Sequence, residues 1–98
     1  MESWRTVVGI VGAVYGVSEA EMFSRSRTAR VSHARIMAWS LLRERLWMST
    51  PQIARCFDRD HTTIVQTTQK VDQSSAEYAR LWNALEALQI EAQAEAAE

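Results

Sequence analysis

The stretch STPQIARCFDRDHTTIVQTTQKV, residues 49–71, decides how the chain folds. Ser49 opens S-T-P-Q, a capping box with Gln52 at its fourth position and Pro51 in the first turn, where proline is tolerated. A short helix is predicted to end near Phe57. After a polar break a second helix is predicted over about 61–71. Ile53, Ala54, Phe57 and Ile64 fall at the offsets where a helix-turn-helix packs its two helices, with Ala54 the small residue at the close approach. Phe57 and Ile64 anchor the unit, which leaves Asp58, Arg59, Asp60, His61, Thr62 and Thr63 to face outward. A solvated helix prefers Glu and Lys, because Thr and His are poorer helix formers. Thr, His and Asp suit base edges instead: a methyl meets thymine, hydroxyl and imidazole hydrogen-bond, and a carboxylate accepts from cytosine.

Outward from this unit, residues 3–15 place Val7, Val8, Val11 and Val14 at helical spacing, and Gly16 is a natural C-terminal cap. Ser18 opens a second capping box with Glu21, predicting a short helix that ends near Phe23. SRSRTARVSHAR, residues 24–35, reads as a basic loop into a helix over about 33–46 capped by Ser32. Met37, Ala38, Leu41, Leu42 and Leu46 form the buried face of that helix. Ser74 or Ser75 caps a last helix over 76–96, whose Tyr78, Leu81, Leu85, Leu88 and Ala92 make an apolar seam. No stretch alternates like a strand. The expectation is an all-α fold of about six helices. Residues 1–74 form the helix-turn-helix domain, and residues 75–98 form an amphipathic helix whose end frays or docks on a partner.

The 98 residues are 47% hydrophobic, enough for one modest core, and carry a net charge of −1. That total hides an asymmetry. Residues 1–72 hold ten Arg/Lys against seven Asp/Glu, while residues 73–98 hold one Arg against five Glu. A local basic block binds nucleic acid whatever the total. Cys56 is the single cysteine, so no intrachain disulfide forms, and a reducing, cytoplasmic and nucleoid-associated setting is expected. His33, Cys56 and His61 lack metal-ligand spacing. Adjacent Asp60 and His61 do not face each other as a catalytic relay. No enzyme activity, cofactor, bound nucleotide or membrane span is expected.

Together, SRSRTARVSHARIMAWSLL and residues 49–71 resemble the C-terminal DNA-binding domain (domain IV) of the bacterial replication initiator DnaA, with similarity from about Val7 to Gln73. The resemblance implies a TrpR-like helical domain that reads double-stranded DNA through the major groove. Matched residue by residue, it implies that Asp60, His61, Thr62 and Thr63 read bases and that Arg27 enters the minor groove. It assigns phosphate contacts to Arg25, Arg35, Ser49, Thr50, Pro51 and Lys70, and Arg59 and Gln66 on the same outward surface are expected to meet phosphates as well. The family usually has two glycines before R-D-H-T-T, whereas this chain has only Asp58, so its turn is one residue shorter and the recognition helix is expected at a different angle. Ser26, Ala29 and His33 stand where the family is basic, and Thr67 and Thr68 also differ.

The 98 residues contain no G-x-x-x-x-G-K-[ST] phosphate loop. Free-standing domains of this kind are similar to small transcription activators of phages and gene transfer agents, so transcriptional regulation through RNA polymerase or a sigma-like partner is expected. A replication-associated factor on initiator boxes, and an interaction module without DNA affinity, stay open beside it.

Overall fold

The computed structural model describes residues 3–97, with side-chain surroundings through residue 88. Six helices follow one another: α1 (Trp4–Tyr15), α2 (Glu19–Met22), α3 (Ala29–Leu46), α4 (Thr50–Phe57), α5 (His61–Gln69) and α6 (Ala76–Ala97). There is no strand among the described residues. The all-α expectation and its helix count therefore hold.

Local chemistry sets most of the boundaries. Ser18 and Ser49 each make the full reciprocal capping box, with Glu21 and Gln52 respectively. Gly16, at φ 69°, ends α1 in the left-handed conformation that glycine adopts without steric cost. Ser75 rather than Ser74 caps α6, its Oγ accepting from Tyr78 N–H at 3.1 Å.

Two expectations need correction. The long helix begins at Ala29 after Thr28, four residues ahead of the expected Ser32 cap. Val31 is 1% exposed, and its burial extends the helix through TAR. The basic loop is accordingly only residues 24–28. Val14, placed by its spacing on the apolar face of α1, is 55% exposed because that helix buries Val7, Val8, Val11 and Gly12 instead.

The core centres on α3, which buries Val31, Ala34, Met37, Ala38, Trp39, Leu41 and Leu42. The helix-turn-helix contributes Ile53, Ala54, Phe57 and Ile64, all four buried as expected. Tyr78, Leu81 and Leu85 bring the first half of α6 into the same core, whereas Leu88 is 44% exposed. Ala92, and the expectation that the chain end frays or docks, lie outside the residues whose side chains are described.

An aromatic cluster joins α1, the end of α2, α3 and α4. Phe23 stacks on Phe57 at 4.8 Å, and Trp4 and Trp39 meet Phe57 at 6.2 and 5.7 Å. Trp39 Nε1 is buried within this cluster without a hydrogen-bond partner. Gly12 is needed for packing: a Cβ there would lie 2.7 Å from the Val17 carbonyl oxygen.

Candidate nucleic-acid interface

The two DNA-reading units expected from the sequence come together in space. α5 starts where Asp60 Oδ1 accepts from the Thr62 N–H at 2.8 Å. This cap fixes the first turn, and Asp60, His61, Thr62 and Thr63 are all exposed there. Asp60 thus shapes the helix start as well as lying on the candidate reading surface. His61 Nε2 lies 2.6 Å from Thr50 Oγ1, which ties the start of α5 to the start of α4. Ser49 and Pro51 beside it are exposed, and Thr50 is half-buried. Gln66 and Lys70 are exposed farther along the same element and its cap. Ile64 and Thr68 turn inward; Thr68 Oγ1 donates to the Ile64 carbonyl and accepts from Arg43 at 2.8 Å.

Across from α5 lies the basic loop. A cleft of about 350 Å³ separates them, lined by Arg25 and Arg27 of the loop, by Arg59 of the turn and by Thr63 and Thr67 of α5, with Trp39 also on its wall. Arg25 and Arg27 are exposed.

The arginines divide into two kinds. Arg35, expected at a phosphate, is 5% exposed. Its Nε donates to the Met22 carbonyl at 3.0 Å, and its two terminal nitrogens donate to Ser26 and Glu21 carbonyls at 3.2 and 3.3 Å. Burial, then Arg59 and Arg25 nearby, push its pKa below the ordinary guanidinium value. Arg35 thus holds the loop from beneath, which its sequence position did not reveal. Arg59 is half-buried and donates to the Ser24 carbonyl at 2.7 Å and the Phe57 carbonyl at 3.1 Å. Desolvation and the Arg25 charge lower its pKa, against Asp58, which raises it.

Sequence reasoning also missed Asp58. This residue caps α4 at φ 51°, ψ 54°, and both its carbonyl and its carboxylate accept from Arg25 at 3.0 Å. The available signal was the turn preference of aspartate, one of the few side chains that tolerates the left-handed region.

The model for the bacterial DnaA protein helix-turn-helix matches residues 4–71, which covers α1 through α5. The chain belongs to the DnaA helix-turn-helix family. Chromosomal replication initiator proteins DnaA are among its relatives. That of Xanthobacter autotrophicus is 37% identical over 67 residues, covering 67% of this chain and 13% of the relative. That of Bordetella pertussis is 32% identical over 80 residues, 81% of this chain and 17% of the relative. That of Tropheryma whipplei is 32% identical over 65 residues, 66% and 14% respectively.

The chain thus spans less than a fifth of the length of these initiators. Membership in the DnaA helix-turn-helix family supports sequence-specific DNA binding. No helix among the described residues is long and apolar enough to cross a membrane.

Proposed function

We propose that this DnaA-family chain recognises a specific double-stranded DNA site and regulates transcription there, as an activator of phage-like or gene-transfer-agent genes. The observation that supports DNA recognition is that Arg27 and Thr63 line one and the same cleft. Adjacent grooves of a duplex are separated by one sugar–phosphate strand. A loop arginine in the minor groove and a helix start in the neighbouring major groove must straddle that strand, and the cleft between loop and α5 offers the room. In this arrangement Arg27 probes the minor groove, where A·T-rich sequence has the most negative potential. His61, Thr62 and Thr63, with Asp60, meet base edges. Arg25, Ser49, Thr50, Pro51, Gln66 and Lys70 serve the phosphates, and Arg35 and Arg59 act on the loop that carries Arg27.

The regulatory half rests on the resemblance to small activators and on a surface suited to a protein partner such as RNA polymerase or a sigma-like protein. Trp47 is 88% exposed, and tryptophan is enriched at interfaces. The runner-up is a replication-associated factor, because the curated relatives are chromosomal replication initiators. Selection of genomic fragments by the purified chain, at low and at physiological salt, tests both. A motif that survives physiological salt beside promoters supports regulation, whereas the same motif clustered at an origin supports the replication reading. Retention only at low salt, without a motif, refutes specific recognition.

A further inference from the structure

Three consecutive residues, Phe23, Ser24 and Arg25, stand against Phe57, Arg59 and Asp58. Phe23 stacks on Phe57, with ring planes 20° apart. Beside this pair, Arg59 donates to the Ser24 carbonyl at 2.7 Å. Outermost, one terminal nitrogen of Arg25 donates to both the carbonyl and Oδ2 of Asp58, each at 3.0 Å. The left-handed backbone of Asp58 is what brings its carbonyl and carboxylate to the same guanidinium. Arg27, Arg35 and Arg59 line the cleft beside Arg25, and Asp58 is the carboxylate paired with Arg25.

We infer that Asp58 tempers the electrostatic affinity of this face for DNA, its carboxylate competing with DNA phosphate for the Arg25 guanidinium. This inference rests on the DNA-recognition reading above and deepens it. A free guanidinium gains attraction and counterion release from any duplex, whatever its sequence. An arginine already paired must exchange one anion for another, which leaves little net gain. Asp58 therefore suppresses the sequence-independent part of binding, while contacts of α5 with base edges are untouched. The same bond runs from the loop to the turn, beside the Arg59–Ser24 hydrogen bond that joins them. Asp58 touches no base itself.

Asp58→Asn tests it. Asparagine keeps the shape and tolerates the left-handed region, and the Asp58 side chain is 96% exposed, so the fold does not depend on its charge. Affinity is measured between about 50 and 200 mM salt, for a random duplex and for the duplex enriched by the natural chain. The variant is expected to bind the random duplex more tightly at low salt. Its slope of log affinity against log salt steepens by about 0.9, so a fourfold rise in salt costs it about threefold more affinity. Affinity for the enriched duplex rises in step, because a phosphate is met on either sequence, so the ratio of enriched to random affinity is unchanged. In an Arg25→Gln background, Asp58→Asn should leave the slope unchanged.

An unchanged slope in the single variant overturns the inference. So does an effect that persists at full size without Arg25, which would mean diffuse charge. A natural chain that enriches a motif while Asp58→Asn alters nothing removes this inference alone. A natural chain that binds no duplex removes the parent reading with it.

Discussion

Replacing Arg35 with alanine separates two roles that the sequence does not distinguish. As a phosphate ligand, Arg35 would matter only when DNA is bound. As a buried clamp, it matters to the folded chain alone. The structure sets three of its donors on the carbonyls of Glu21, Met22 and Ser26. Hydrogen bonds from a charged donor contribute roughly 1.5–3 kcal/mol each. Desolvation of the guanidinium offsets much of that sum, and water entering the cleft re-solvates part of what is left. A net loss of about 2–4 kcal/mol remains, a large fraction of the roughly 5–15 kcal/mol typical of a domain. For a chain of this length it lowers Tm by roughly 10–25 °C. Lysine should restore less than half of the loss, because one compact ammonium cannot span three carbonyls as the planar guanidinium does. Urea or thermal unfolding without DNA measures this directly. Stability within about 0.5 kcal/mol of the natural chain, joined to a salt slope shallower by about 0.9, would refute the clamp and return Arg35 to the phosphates.

Other expectations follow from particular contacts. Arg27→Ala should weaken binding and relax preference at A·T steps, and unchanged binding on a panel of flanking sequences would remove it from the minor groove. His61→Ala or Thr62→Ala should cost about 1–3 kcal/mol on the selected site and little on random DNA, and equal losses on both would make them backbone contacts. Gly9→Ala and Gly12→Ala should shift the urea midpoint in opposite directions. Alanine at Gly9 meets nothing within 4 Å and gains roughly 0.5–1 kcal/mol, whereas at Gly12 it collides with the Val17 carbonyl. Shifts of the same sign would contradict that packing. Glu77 accepts from Tyr15 at 2.7 Å and lies 2.8 Å from His33 Nε2, and these partners, Tyr15 first, hold its pKa below the ordinary 4.5. A carboxyl lowered on folding contributes stability above about 4.5 that is lost as pH falls through the lower folded value. Glu77→Gln should flatten that part of the acid-side stability profile, and an identical profile would show that the three-residue contact contributes nothing.

Wherever a signal was local, it could be read from the chain. A capping box satisfies backbone groups within four residues, so Ser18 with Glu21 and Ser49 with Gln52 announce their helices without tertiary help. The Ile53, Ala54, Phe57 and Ile64 pattern repeats the geometry of two helices across a short turn, and all four are buried. The exposed first turn of α5 follows from the same offsets. Its loop partner, Arg27, came from the resemblance and from the density of arginine before α3.

Tertiary structure decided which arginines are free to meet a ligand. Arg25, Arg27, Arg35 and Arg59 look alike in a basic sequence, yet Arg35 is buried on three carbonyls and Arg59 spans loop and turn. Their partners are backbone oxygens of Glu21, Met22, Ser24, Ser26 and Phe57, groups that every residue carries and that no sequence pattern marks. Asp58 is the same case: it pairs with Arg25 across 33 positions, beside the stack of Phe23 on Phe57. Helix periodicity and caps depend on neighbours along the chain, and so the sequence by itself determined the six helices and the outward face of α5. The ownership of each charge depends on which distant carbonyls arrive beside it, and only the folded chain decides that.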